Sequence, residues 1–318
     1  MAVQLAIPLA AVTFRRANAR DFDGHDAALS DATLAHFAVA SLIEEAQLTP
    51  KPALVDARGS GAHRDLDLSL MLRSARALEP TFAALASASR GRMPSATLRA
   101  ELAQIGRAGE QDMMRATNGS NAHRGAIWII GLLVAGAAIV FAGDASACST
   151  ALPAHARSAA AHVCELGAQI ACFPDRFGNC ADSHGERVRR RFQVGGARQE
   201  AQDGFPHALD IGLPALRAAR AKGIGEDAAR LDTLLAIMAS LDDTCLLHRA
   251  GLAGLHAGQR GARAVLAAGG VSTAAGRAAL AALDGELLSL NASPGGAADL
   301  LAATLFIDKL AQHAASGS

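Results

Sequence analysis

GAIWIIGLLVAGAAIVFAG, residues 125–143, is the stretch on which the fold turns. Its nineteen residues carry no charge, and a helix of roughly 20 apolar residues can cross a bilayer. Yet about half of the stretch is Gly and Ala, and the polar run NGSNAHR leads straight into it. It also stands alone among segments of amphipathic character. A helix that is apolar all round belongs at the centre of a bundle. The expectation is therefore a buried central helix and no membrane span.

The flanking sequence agrees. Apolar positions recur at three- and four-residue spacing over Leu34–Ile43, Leu66–Leu85, Ala208–Leu216, Leu231–Leu247, Leu252–Leu266 and Leu300–Leu310, the pattern of a buried helix face. Gly, Pro, Ser and Asn clusters separate these runs. No strand series, βαβ alternation, repeat or long linker interrupts them. The reading is an all-α fold, a single globular bundle of about nine or ten helices over residues 29–318. Residues 1–28, apolar and then basic, have the reverse order of a signal peptide and read as a poorly ordered or docked leader.

Composition narrows the classes. Of 318 residues, 51% are hydrophobic but only 3% aromatic, and roughly a quarter are Ala, above ordinary usage. Ala favours helices, whereas strands favour β-branched and aromatic residues. Thirty basic residues balance thirty acidic ones. Disorder needs low hydrophobicity with high net charge, and a nucleic-acid binder needs a basic face. Neither is indicated. Five cysteines (Cys148, Cys164, Cys172, Cys180 and Cys245) show no C-x-x-C spacing. They read as reduced thiols of a cytoplasmic protein.

Five polar clusters could carry chemistry. Thr49-Pro-Lys51-Pro leads to Asp56 and then to His63-Arg-Asp65-Leu-Asp67, with Lys51, one of only three lysines, held between two prolines. Asp65 and Asp67 either complement a helix dipole or hold Mg²⁺. Asn118 to Arg124, with Asn121, His123 and Arg124, feeds the apolar helix as an anion-binding N-terminus would. Gly195-Gly196-Ala197-Arg198-Gln199-Glu200 follows Ser183-His184-Gly185, and its paired glycines permit close backbone approach. Asp242-Asp243, with Cys245, His248 and Arg249, places adjacent carboxylates at the end of an apolar run, where burial requires a partner or a metal. Asn291 to Gly296, with Ser293, Gly295 and Gly296, opens a helix that has Asp299 in its first turn. Walker A, G-x-G-x-x-G, H-E-x-x-H and G-x-S-x-G patterns are missing.

In order, TPKPALVD…GAHRDLD, NGSNAHRGAIW, GGARQEAQDGFP, LDDTCLLHRAG and NASPGGAADLLAATLF closely resemble the triphosphoribosyl-dephospho-CoA synthase family, from about Leu42 to Leu310. The last two stretches resemble the branch serving malonate decarboxylase more than the one serving citrate lyase. The resemblance implies a helical pentosyltransferase that joins ATP and 3′-dephospho-CoA, releases adenine and yields 2′-(5″-triphosphoribosyl)-3′-dephospho-CoA. That product is the prosthetic-group precursor for an acyl carrier protein. It further implies Mg²⁺ with the ATP, and, as partners, a downstream phosphoribosyl-dephospho-CoA transferase and the malonate decarboxylase acyl carrier protein. Departures from the family pattern are Ala53 and Ala250 for Gly, Ala122 for Thr, Arg124 for Lys, and Gln199 for Gly.

On that reading Lys51, Asn121, Arg124, Arg198, Arg249, Ser293, Gly295 and Gly296 hold nucleotide and phosphate, and Asp65, Asp67 and Asp242 hold the metal. Glu200 or Asp243 is the base or the stabiliser of an oxocarbenium-like ribose, by analogy with glycoside hydrolysis. His63 or His123 is the proton donor to adenine. Two rivals remain: an all-α Mg²⁺-dependent nucleotide or ADP-ribosyl hydrolase, and a membrane-anchored helical scaffold.

Overall fold

The computed structural model describes residues 29–142, 159–175 and 184–316; the leader, Cys148, Cys180 and Ser183 lie outside them. Among the described residues the chain is helical, without strands. Thirteen α-helices run in order: α1 Asp31–Gln47, α2 Leu68–Ala77, α3 Glu79–Ser89, α4 Ala96–Ala116, α5 Arg124–Val140, α6 Ala159–Cys172, α7 His184–Phe192, α8 Gly196–Gln202, α9 Leu213–Ala221, α10 Glu226–Met238, α11 Thr244–Ala267, α12 Ala274–Ser289 and α13 Gly295–Ser316. A π-helical turn, His207–Gly212, precedes α9.

That exceeds the nine or ten expected, because several apolar runs contain breaks that periodicity does not show. Leu66–Leu85 divides into α2 and α3 at Leu78, where Pro80 opens the second helix, a position at which its missing N–H costs nothing. Leu231–Leu247 is interrupted at Ser240–Asp243 by the start of α11. The short α7 and α8 have little apolar face to reveal them.

The decisive stretch forms α5, whose residues from Ile129 to Ile139 are all buried. It packs against α1, α3, α4, α6, α8 and α13. Its glycines explain the composition: a Cβ on Gly136 would overlap the Val163 carbonyl, and one on Gly167 of α6 would lie 3.1 Å from the Leu132 carbonyl. Helices α5 and α6 therefore meet backbone to backbone, a contact only small residues allow. Among the described residues no helix is long and apolar enough to cross a membrane.

Side-chain caps fix where the helices begin. Ser30, Asp67, Ser95, Asp243 and Thr273 each accept a backbone N–H of the first turn, satisfying donors that the helix itself cannot.

Candidate active site

The five clusters come together where α5, α11 and α13 begin. Asp243 is the joint. Its buried carboxylate accepts from Cys245 N (2.7 Å) and Leu246 N (3.3 Å) of α11, and from Gly296 N (3.3 Å) and Ala297 N (2.9 Å) of α13. Burial pushes its pKa up against the pull of these four donors. A Cβ on Gly296 would lie 3.0 Å from the same carboxylate, so glycine there lets the two helix starts share one acid.

Asp299 joins α13 to α5. It lies in the second turn, one turn further in than expected, since α13 starts at Gly295. A Cβ on Gly125 would overlap its carboxylate. Burial, and then the nearby charges of Glu45 and Asp243, hold its pKa well above the usual carboxylate range. Three helix N-termini thus begin near this acid. Each carries partial positive charge, and Asp243 takes four of the first-turn N–H groups of α11 and α13.

Lys51 is fully buried, and its Nζ donates to Glu45 Oε1 (2.6 Å) and the Glu45 carbonyl (2.7 Å) at the end of α1. The prolines hold a segment whose backbone is also pinned: Lys51 N donates to Asp56 Oδ2 (2.8 Å), and Arg58 clamps Asp56, Asp284 and the Lys51 carbonyl. The lysine is an internal counter-charge.

His63 Nε2 lies 3.1 Å from Ser293 Oγ and its Nδ1 lies 3.0 Å from Arg249 Nη2, while Arg249 also donates to the Ala62 carbonyl. Burial and Arg249 lower its pKa to about 4. His123, buried at the start of α5, has Nδ1 2.7 Å from Ser74 Oγ and no partner at Nε2. Burial and Lys51 lower it to about 3. Both imidazoles are therefore neutral near pH 7.

Glu200, buried on α8, accepts from His207 N (2.8 Å) and pairs with His207 Nδ1 (2.7 Å). This bond chiefly raises the His207 pKa, helped by the Ser240 backbone and Asp242 and opposed by burial. The pair ties the π-helical turn, a form frequent at functional sites, to α8, and the contact of His207 with the Ser240 backbone reaches the loop that carries Asp243. The glycine turn sits beside it. Gly196 has φ +59° and would place a Cβ 3.1 Å from Thr244 of α11, and Trp128 of α5 donates to the Ala197 carbonyl (3.1 Å).

The remaining candidates lie outward. Arg198 and Asn121 are exposed. Arg124 is half-exposed, with Nε 3.1 Å from Glu110 Oε2, and its backbone N donates to Asn121 Oδ1. Asp67 caps α2, Asp65 is exposed beside His63, and Asp242 is exposed beside His207. Among the described residues no group of three His, Cys, Asp or Glu is placed to hold a metal ion. Cys164 is buried and its thiol is pushed up to about 12 by burial, then by Asp210 and Glu200; the Cys245 thiol is pushed well up by burial.

Sequence reasoning did not assign roles to Glu45, Ser74, His207 and Asp299. The available signal was a polar residue on an apolar helix face: Glu45 closes the buried side of α1 and Asp299 interrupts GGAADLLAATLF.

A model of one protein family, CitG, described as ATP:dephospho-CoA triphosphoribosyl transferase, matches residues 31–318. A Klebsiella pneumoniae protein named 2-(5''-triphosphoribosyl)-3'-dephosphocoenzyme-A synthase is 55% identical over 278 residues, 87% of this chain and 94% of that one. A Pseudomonas paraeruginosa relative, named as a probable enzyme of the same activity, is 56% identical over 278 residues, covering 87% and 90%. One from Pseudomonas syringae pv. syringae, named likewise, is 52% identical over 294 residues, covering 92% and 96%. No solved structure matches the chain.

Proposed function

We propose a reaction for this site from one premise: the chain belongs to the ATP:dephospho-CoA triphosphoribosyl transferase family. It is a triphosphoribosyl-dephospho-CoA synthase. The 2′-hydroxyl of 3′-dephospho-CoA attacks the anomeric carbon of the ATP ribose. The bond to adenine breaks, the hydroxyl proton leaves, adenine takes up a proton, and the triphosphate stays intact. The enzyme must hold that triphosphate, stabilise positive charge on the ribose and move two protons.

The observation that carries this reading is the meeting of three helix N-termini around Asp299. The positive dipole ends of α5, α11 and α13 suit phosphate oxygens, and Arg124 and Arg198 stand at the outside with guanidinium groups fitted to phosphate. Asp299, whose pKa burial raises, is the donor to adenine. His63 accepts from Arg249 at Nδ1 and so presents Nε2–H to Ser293, orienting that hydroxyl, and Glu200 takes the proton of the attacking hydroxyl. Asp243 and the Glu200–His207 pair position the helix starts and the glycine turn. Lys51 keeps Glu45 compensated behind the site. Mg²⁺ enters with ATP as part of the substrate, and Asp65 and Asp242 are the carboxylates left outside the caps to meet it.

The product goes to a phosphoribosyl-dephospho-CoA transferase and then to the malonate decarboxylase acyl carrier protein, in the cytoplasm. The support for that branch is the wording of LDDTCLLHRAG and NASPGGAADLLAATLF. The test of the reaction is chromatography of adenine from purified protein with ATP and Mg²⁺, with and without 3′-dephospho-CoA. Release that requires dephospho-CoA, with a product of matching mass, is expected. Equal release without it would make the protein a nucleotide hydrolase.

A further inference from the structure

Arg249, His63 and Ser293 form a chain of hydrogen bonds in which every proton but one has an acceptor. Arg249 Nη1 donates to the Ala62 carbonyl (2.9 Å), and its Nη2 stands 3.0 Å from His63 Nδ1. A guanidinium has donors and no acceptor. Nδ1 therefore accepts, and the imidazole proton sits on Nε2. That proton goes to Ser293 Oγ, 3.1 Å away. Ser293 thus accepts from His63, and its own hydroxyl proton has no acceptor among the described residues. The charge of the chain is open as well. Arg249 is half-buried, yet among the described residues no carboxylate forms an ion pair with it; Asp65 stands 3.9 Å from His63 Nδ1 and does not pair with Arg249.

A buried donor without an acceptor is costly, and so is a half-buried cation without a counter-charge. One anionic oxygen answers both. It makes the stronger hydrogen bond with a hydroxyl, and the chain polarises each member toward it. Ser293 is only 1% exposed, and it lies two residues before α13 begins at Gly295, where the helix dipole favours negative charge. The cluster meets solvent through Asn291, which is exposed, and through His63, whose side chain is 19% exposed. Both substrates offer phosphate oxygens. The ATP phosphates already have Arg124 of α5 and Arg198 of α8, and neither helix contributes to this chain. It is built from the turn that carries His63, from α11 and from the loop before α13. We propose that the Ser293 hydroxyl donates to a phosphate oxygen of the diphosphate of 3′-dephospho-CoA. Arg249 and His63 are the positioning residues: they fix that hydroxyl as a donor and supply its charge. This rests on the synthase reading above.

Ser293→Ala removes the donor alone. It should raise KM for 3′-dephospho-CoA about tenfold or more, the usual worth of a hydrogen bond to a charged group. KM for ATP and kcat should stay within about twofold. His63→Leu should give the same split, because Ser293 then loses its orientation. His63→Gln should recover most of that loss, since a Gln carbonyl accepts from Arg249 and its amide donates to Ser293. A merely structural role for His63 would move stability without that split or that recovery. If His63→Leu does not fold, Ser293→Thr, which keeps the hydroxyl, should keep the wild-type KM where Ser293→Ala does not. An unchanged KM for dephospho-CoA in Ser293→Ala, a rise in KM for ATP instead, or a His63→Gln enzyme no better than His63→Leu would overturn the proposal. Failure of the synthase reading shows elsewhere, as wild-type protein that releases no adenine in the presence of dephospho-CoA.

Discussion

Ala53 has φ +52°, a left-handed conformation, in a buried turn where its N donates to Asp284 and its carbonyl accepts from Ala62 N. It stands at a position where the resemblance had suggested glycine, and the backbone supplies the reason. A left-handed residue with a Cβ costs about 1–2 kcal/mol, partly offset by the lower chain entropy of Ala. Ala53→Gly should therefore stabilise the protein by about 0.5–1 kcal/mol, read as a higher urea midpoint; an unchanged or lower midpoint would contradict this. Gln199 differs. It is helical and exposed, with its side chain on Asp203, so no backbone need for glycine exists there. At Asp299, Asn should cut the rate of adenine release by about 10²–10⁴-fold, the usual worth of a positioned acid, while circular dichroism is preserved. Because the pKa of Asp299 is raised, folded protein binds its proton more tightly than unfolded protein does. That contribution to stability is full below the ordinary Asp range and is lost as pH rises through the raised pKa. The melting temperature of Asp299→Asn should lack this decline. His63 and His123 act in the opposite sense. Their pKa values of about 4 and 3 lie below the unfolded 6.5, so their contribution is full above pH 6.5 and is lost on acidification toward pH 3–4. Removing His63 by His63→Gln should flatten the melting-temperature profile in that window.

At the scale of elements, two contacts decide the arrangement. Asp243 caps α11 and α13 together, so its loss leaves four N–H groups without their acceptor, two of them buried. One cap is worth about 1 kcal/mol and each orphaned buried donor about 1–3. Asp243→Ala should destabilise by roughly 2–4 kcal/mol in denaturant, beyond any effect on turnover. A stability change below about 0.5 kcal/mol, the usual range for an ordinary surface position, would show that the double cap does not hold the site. The α5–α6 crossing is the second. Gly136→Leu drives a side chain into the α6 backbone and should cost about 1–3 kcal/mol or more, as overpacking does. Helix α11 carries a break at Gly251 (φ +61°, ψ −154°), one residue after Ala250, so the glycine that this bend requires is present next door.

For the whole molecule, the central apolar helix has two tasks. It fills the core, and its polar start places His123, Arg124 and Gly125 where α11 and α13 also begin. Much of this was legible in the residues. Ala enrichment, scarce aromatics and 3.6-residue periodicity specify helices, because propensity and amphipathic patterning act locally along the chain. The five motifs named the family, and the paired glycines at 195–196 marked a close approach. Tertiary structure alone decided the rest. Lys51 and Glu45 stand six residues apart, yet only burial makes them a pair. Asp299 and Gly125 are 174 positions apart, and Asp243 and Ala297 are 54. Whether a carboxylate caps a helix, ligates a metal or stays protonated depends on its desolvation and on which charges and N–H groups surround it. Those neighbours come from helices distant in sequence, so no local pattern in the chain records them.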